Sequence, residues 1–318
     1  MTCLEHERCL PHAWKERDPK NRSKTLSMIH HDDNHILLNK IRIEQSEGKK
    51  IWLAYGVSAN PLHYGHLNYL HKIIDLLNPD KALLIPAKCS PFKQSERQIN
   101  PEIKKKVLEA VIEGYEESRG LNGKITLDYR EIESQDEGPS YTYLTIHQLW
   151  QKAQQENAAL YYLLSSETIE TFYRWTYPAK IVEEATVMYG GRPEYPFDQG
   201  QLMSQLEAID KAAREQGFDE IETSAEHAQL VQSGKIGDAD VSILTAEGEE
   251  RRVTIPAKAI RPIPATVLHA IRNGYLPITG DISISSTTIR EMMKRQEPID
   301  QYVGSKAARL MEEHQLYA

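Results

Sequence analysis

The sequence predicts an α/β protein, a doubly wound parallel sheet with an insertion and a C-terminal helical segment. Three observations predict it. Short apolar runs alternate with amphipathic stretches from residue 51 onward; the run Ile51–Tyr55 ends in a turn that leads straight into a helix; and the alternation is interrupted between residues 195 and 280. Alternating strands and helices imply βαβ units covered on both faces of a sheet, with ligands held beyond the carboxyl ends of the strands.

Residues 1–48 read as a polar N-terminal extension whose apolar content is the cluster Ile36, Leu37, Leu38, Ile41 and Ile43. Cys3, His6, Cys9 and His12 recur at every third position, a spacing unlike that of common zinc pairs, and are taken as coincidence. After the first strand, Pro61 cannot continue a ladder, so the chain turns. Leu67, Leu70, Ile74 and Leu77 then recur at helical spacing, which predicts a helix beginning near His66. A second strand is expected at Lys81–Ile85. Asn100 caps a helix with Pro101 at its first position and the stripe Ile103, Val107, Val111 and Ile112. Further strands are expected at Lys124–Tyr129, Leu160–Leu164 and Ala185–Tyr189. In the interrupted region a helix carrying Leu202, Leu206, Ile209 and Ala213 stops at Gly217. Val241–Thr245 and Arg252–Ile255 then flank Ala-Glu-Gly-Glu-Glu as a hairpin. An insertion is placed at about 220–262, as a lid or an oligomer contact.

Of the 318 residues 40% are hydrophobic and 26% charged, which supports a sizeable core. The formal net charge of -8 argues against a protein that coats nucleic acid. A polyanionic ligand would need a local positive site. No apolar run approaches the ~20 residues of a membrane helix, no signal-peptide core is apparent, and Cys3, Cys9 and Cys89 suggest no disulfide framework. The expected setting is cytoplasmic, with no nucleic-acid or membrane partner and a homo-oligomer left open.

The junction Gly56-Val57-Ser58-Ala59-Asn60-Pro61-Leu62-His63-Tyr64-Gly65-His66-Leu67 has the form of a phosphate grip. His63 and His66 fall on one side of the helix's first turn, where unpaired N–H groups and the helix dipole favour anions. Gly65 between them would leave room for a ligand against the backbone. A histidine pair alone is more often structural; the strand, turn and helix around it favour a ligand site.

His63-Tyr64-Gly65-His66, with Gly56 and Asn60-Pro61, resembles the HxGH signature of the nucleotidyltransferase superfamily. About 220 positions later, Ile284-Ser285-Ser286-Thr287-Thr288-Ile289-Arg290 resembles that superfamily's ISSTxIR signature. Intermediate segments resemble nicotinate (or nicotinamide) mononucleotide adenylyltransferase: Ile85-Pro86 through Pro91-Phe92-Lys93, Ser140-Tyr141-Thr142 with Leu144, Trp175 in Arg174-Trp175-Thr176-Tyr177-Pro178, and the ending Glu312-Glu313-His314-Gln315-Leu316-Tyr317. The resemblance covers most of residues 51–193 and 281–318. It implies a Rossmann-like nucleotidyltransferase domain over 49–318, with 281–318 as a phosphate-binding helical segment.

By that resemblance, the adenylyl group of ATP passes to the 5′-phosphate of the mononucleotide and pyrophosphate leaves. His63, His66, Lys93 and Arg290 would be catalytic. ATP would also contact Gly56, Ser58, Ser165, Glu167, Ser285, Ser286 and Thr287, and the mononucleotide Asn60, Lys93, Tyr141, Thr142 and Trp175. Mg²⁺ would arrive on the ATP phosphates, with no protein metal site. The family's Gly-Ala-Asp triplet is here Ser165-Ser166-Glu167, Ala59 stands for a usual phenylalanine, and Ser90 and Phe92 replace a proline and a histidine. Residue by residue, bland readings exist: Ser140 and Thr142 as helix caps, Trp175 as core, Lys88 and Lys93 as solvated charges. Other superfamily members, such as pantetheine-phosphate adenylyltransferase or a cytidylyltransferase, stay open, as does a nucleotide-binding regulator without turnover. A class I aminoacyl-tRNA synthetase is disfavoured by the absence of a KMSKS-like loop and by the acidic charge.

Overall fold

Along β1 (Lys50–Val57) the side chains alternate between two cores: Ile51, Leu53, Tyr55 and Val57 enter one, Trp52 and Ala54 the other. In the computed structural model, which describes residues 36–89, 99–119, 123–135, 138–191, 197–245 and 248–317, five more strands join β1 in one parallel sheet. The remaining strands are β2 (Lys81–Pro86), β3 (Thr126–Leu127), β4 (Ala158–Ser165), β5 (Thr186–Gly191), β6 (Ala239–Leu244), β7 (Glu250–Ile255) and β8 (Tyr275–Thr279). The sheet order is β3-β2-β1-β4-β5-β8, while β6 and β7 pair only with each other, antiparallel. The chain therefore winds outward from β1, returns, and continues from β4 on the other side. The reversal falls between β1 and β4, where such sheets open a crevice.

A strand buried on both sides needs a covering layer on each. One face carries α1 (Ile36–Ser46), α2 (Tyr64–Leu77) and α3 (Pro101–Arg119). The other carries α4 (Thr142–Gln155), α5 (Ser166–Phe172), α6 (Pro178–Glu184) and α7 (Gln199–Glu215). Next come α8 (Ser224–Gln232) and α9 (Ala265–Asn273), the latter also on the second face. The C-terminal helices α10 (Ser286–Lys294), α11 (Asp300–Val303) and α12 (Ser305–Glu313) return to the first face and bury Ile289, Val303, Ala307 and Met311. Among the described residues no helix is long and apolar enough to cross a membrane.

The structure corrects the sequence reading in places. The last part of the expected polar extension, α1, buries Leu37, Leu38 and Ile41 against the sheet. It is tied down by Lys40 Nζ donating to Thr186 Oγ1 at 2.6 Å and by the Tyr161 hydroxyl donating to the Glu44 carboxylate. Ile36 and Ile43 of the same cluster face solvent. Helix α2 begins at Tyr64, two positions before His66, and the strand expected at Lys124–Tyr129 contracts to an edge pair, Thr126–Leu127. Strand β8 lies in the stretch read as an interruption, and its Pro277 is tolerated because the strand sits at the sheet's edge. The helix with the Leu202 stripe and the hairpin both form, the latter with Val241 opposite Val253. Cys3, His6, Cys9 and His12 lie outside the described residues, as do Ser90, Pro91, Phe92 and Lys93.

If α1 belongs to the domain, Ile41→Ala lowers the unfolding free energy by about 2–4 kcal/mol, read from the urea midpoint; an unchanged midpoint would make the helix an ornament.

Candidate active site

Gly56, next to last in β1, has no room for a side chain: a Cβ there would collide with the Tyr162 hydroxyl from β4. That hydroxyl is hydrogen-bonded to the Thr142 side chain, and burial pushes its pKa above the ordinary phenol value. Gly56 thus sets the position of Tyr162, and through it the start of α4. Past β1 the chain crosses Ala59 in the left-handed region, φ 49°, and reaches His63, the N-cap of α2, whose side chain makes no capping bond.

The His63 and His66 rings lie 3.7 Å apart between centroids at 33°. A Cβ on Gly65 would stand 2.9 Å from His63 Nδ1 and 3.2 Å from the Ile282 carbonyl. The space expected to admit a ligand is therefore filled by the His63 imidazole. His63 is 1% exposed and His66 7%, and of the two only His66 borders the cleft. The His63 ring lies against that of His66 and outside the cleft lining.

The downstream signature forms the start of α10. Ser285 is its N-cap, its Oγ accepting from Thr288 N at 3.0 Å. Ser286 Oγ donates to the Pro61 carbonyl at 2.9 Å. Arg290 donates from Nη1 to the Asn60 carbonyl at 2.7 Å and from Nη2 to Thr287 Oγ1 at 3.1 Å. The two signatures thus meet as one hydrogen-bonded unit. Arg290 and Asn60, expected on the leaving group and the mononucleotide, are joined to each other and do not line the cleft.

A cleft of about 520 Å³ opens at the carboxyl ends of β1 and β4. It brings together the expected Gly56, Ser58, His66, Tyr141, Thr142, Ser165, Glu167, Trp175, Ser285, Ser286 and Thr287. Tyr141, not Ser140, is the N-cap of α4, and it makes no side-chain capping bond; Ser140 Oγ instead accepts from Lys88 N at 3.1 Å. Lys88 Nζ donates to the Ser134 carbonyl. Ser165 is buried as the N-cap of α5, its Oγ 2.8 Å from Thr168 Oγ1, so the extra atoms relative to glycine are taken up in the helix start. Trp175 stands half-buried, edge-on to Phe172 at 5.3 Å and to Tyr162 at 6.5 Å.

The sequence reading missed Glu131, Tyr162, Glu170, Arg174 and Ser224, all on the cleft wall. Thr145 Oγ1 donates to Glu131 Oε1 at 2.6 Å, yet burial pushes the Glu131 carboxyl above the usual carboxylate range. One acidic residue in a strongly acidic segment carries no signal that would single it out. Glu167, Glu170 and Arg174 stand on the same wall, and burial raises the Glu170 carboxyl as well. Among the described residues no three His, Cys, Asp or Glu side chains converge on a metal position.

A family model described as cytidylyltransferase-like matches residues 54–292, spanning both signatures and the cleft. The chain belongs to the cytidylyltransferase-like family of nucleotidyltransferases. A relative from Bacillus cytotoxicus, named "Probable nicotinate-nucleotide adenylyltransferase", is 31% identical over 147 residues, 46% of this chain and 71% of the relative. One of the same name from Geobacillus kaustophilus is 27% identical over 154 residues, 48% of this chain and 66% of the relative, just under two thirds of its length. A third, from Maridesulfovibrio salexigens, is 26% identical over 193 residues, 59% of this chain and 80% of the relative. The structure of Plasmodium falciparum nicotinic acid mononucleotide adenylyltransferase complexed with NaAD superposes with a TM-score of 0.49 at 16% identity, covering 84% of this chain and 97% of that one.

In this nucleotidyltransferase the Gly56–Tyr162 contact is testable by a double substitution. Gly56→Ala should cost about 1–3 kcal/mol of stability, and adding Tyr162→Phe should recover part of it in thermal melts; additive losses would contradict the contact.

Proposed function

We propose that this nucleotidyltransferase acts in NAD biosynthesis, transferring the adenylyl group of ATP to the 5′-phosphate of nicotinate (or nicotinamide) mononucleotide. The supporting observation is the single cleft that joins His66 and the Ser285–Thr287 helix start to Tyr141, Thr142 and Trp175. A mononucleotide phosphate oxygen attacks the α-phosphorus of ATP, the new P–O bond forms, and the bond to the β-phosphate oxygen breaks to release pyrophosphate. The attacking phosphate is already ionised at neutral pH, so no side-chain nucleophile or strong base is required. Catalysis is then positioning and charge neutralisation.

In this reading His66 donates to an ATP phosphate oxygen, and the Ser286 and Thr287 N–H groups at the first turn of α10 hold another. His63 and Arg290 act one step back, His63 by fixing the His66 ring and Arg290 by holding the Asn60 turn. Lys93 keeps its proposed role as a point charge. Trp175 is read as the surface on which the pyridine ring stacks, with Tyr141 and Thr142 beside it. Mg²⁺ carried on the ATP phosphates would offset their charge. The proposed setting is the cytoplasm, where ATP is available.

The Ser165-Ser166-Glu167 triplet favours a second reading, a nucleotide-binding regulator without turnover. The deciding assay is Mg²⁺-dependent turnover of ATP with nicotinate mononucleotide, nicotinamide mononucleotide and phosphopantetheine in parallel, with pyrophosphate and products followed by chromatography. A pyridine dinucleotide product supports the proposal and settles the ring preference. Product from phosphopantetheine alone moves the chain to another branch of the family, and ATP binding without any product supports the regulator.

Two variants test the residue roles. His66→Ala should lower kcat by about 10²–10³-fold, as for loss of a preorganised donor to developing charge, whereas parent-like kcat would remove His66 from the site. Trp175→Ala should raise KM for the mononucleotide about tenfold and leave KM for ATP within about twofold; an unchanged mononucleotide KM would sink the stacking role.

A further inference from the structure

The loop between α5 and α6, residues 173–177, carries Trp175 on the cleft wall and has little to hold it in shape by itself. Its local bonds are turns, such as Arg174 N to Thr171 O at 2.9 Å and Trp175 N to Phe172 O at 3.0 Å. It ends at Tyr177 in the left-handed region, φ 51° and ψ 53°, a conformation that bulky L-residues disfavour.

The restraints come from the inserted region. Tyr177 N donates to the Glu222 carbonyl at 3.1 Å, the Tyr173 hydroxyl to the Ala259 carbonyl at 3.0 Å, and Ser224 Oγ to the Arg174 carbonyl at 3.0 Å. Arg261 completes the set. It is 1% exposed, donates from Nη1 to that same Arg174 carbonyl at 3.0 Å, and donates from Nε and Nη2 to the Ile221 carbonyl at 3.2 and 2.6 Å. Among the described residues no carboxylate lies within ion-pairing distance of it. Burial lowers its guanidinium to about 10, which leaves it cationic at neutral pH. A guanidinium buried at the expense of its hydration, and spent on main-chain carbonyls of two segments, acts as a cross-brace between them.

We propose that the insertion is a positioning element for the mononucleotide half of the site: Arg261, with Ser224, clamps the Arg174 carbonyl and thereby holds the Trp175 indole on the cleft wall. Arg261 is a positioning residue, since it acts through the loop. The inference deepens the reading of Trp175 given above and rests on it. It gives the interrupted region a role inside one chain, distinct from a lid or an oligomer contact.

The test compares the parent with Arg261→Met, Arg261→Lys and Tyr173→Phe in the full chain. Arg261→Met should raise KM for nicotinate mononucleotide about tenfold while KM for ATP and kcat stay within about twofold. Arg261→Lys, which keeps the charge but loses the fork, should fall between parent and Arg261→Met. Hydrogen exchange should quicken in peptides covering 173–177 and stay parent-like in β1 and α2. Should Arg261→Met fail to fold, Tyr173→Phe, which removes the hydroxyl bond to the Ala259 carbonyl from a side chain outside the cleft lining, carries the same expectations at about two- to fivefold. Unchanged mononucleotide KM and unchanged exchange at 173–177 in a folded variant would overturn the clamp, as would equal rises in both KM values. A parent that turns over no pyridine mononucleotide would overturn the stacking reading instead, and the exchange measurement still decides whether Arg261 holds the loop.

Discussion

The parallel pairing of β1 with β4, from Lys50 opposite Ala158 to Tyr55 opposite Leu163, is the constraint on which the site depends. It joins strands about 108 residues apart at the point where the winding of the sheet reverses, and a parallel pair so distant in sequence is held by the side chains that cover it. Each strand feeds both cores, so the pair cannot slip by one residue without turning its apolar set out of each core. At its carboxyl end the pair presents Gly56 and Ser165, with Tyr162 pressed against the glycine, and these three positions define the floor of the cleft.

A second constraint joins the two signatures. Two short signatures far apart in sequence are welded by Ser286 on the Pro61 carbonyl and Arg290 on the Asn60 carbonyl. These are bonds to main chain, so they hold the turn's shape whatever side chain stands at Ala59. The tilted histidine pair is set by the same economy of space: a Cβ on Gly65 would press against the His63 ring at 2.9 Å. Of the two histidines, His66 borders the cleft and His63 lies behind it.

The site is electrostatically mixed. Glu131, Glu167, Glu170 and the cationic Arg174 all line a cleft proposed to take two phosphorylated substrates, beside the N-terminus of the helix that starts at Ser286. The stretch that breaks the βαβ rhythm contributes the Ser224 hydroxyl to the cleft wall and the buried Arg261 guanidinium that donates to the Arg174 carbonyl.

The sequence by itself determined the fold class, the helix and strand faces, and the identity of both signatures, because these depend on local periodicity and on short runs whose chemistry is contained within a few residues. It also singled out Tyr141, Thr142 and Trp175, which the structure brings to one cleft wall. What it left undecided were relations between distant segments. Whether Leu37, Leu38 and Ile41 were a tail or a core, whether Gly65 made room for a ligand or for His63, and where the guanidinium of Arg290 would be spent all turned on partners many positions away. Glu131 and Arg261 were invisible for the same reason: a charged residue in a polar stretch looks solvated until the packing around it removes the water. Tertiary structure decided those points, because burial and hydrogen-bond partnership are properties of what a side chain is packed against and not of its neighbours in sequence.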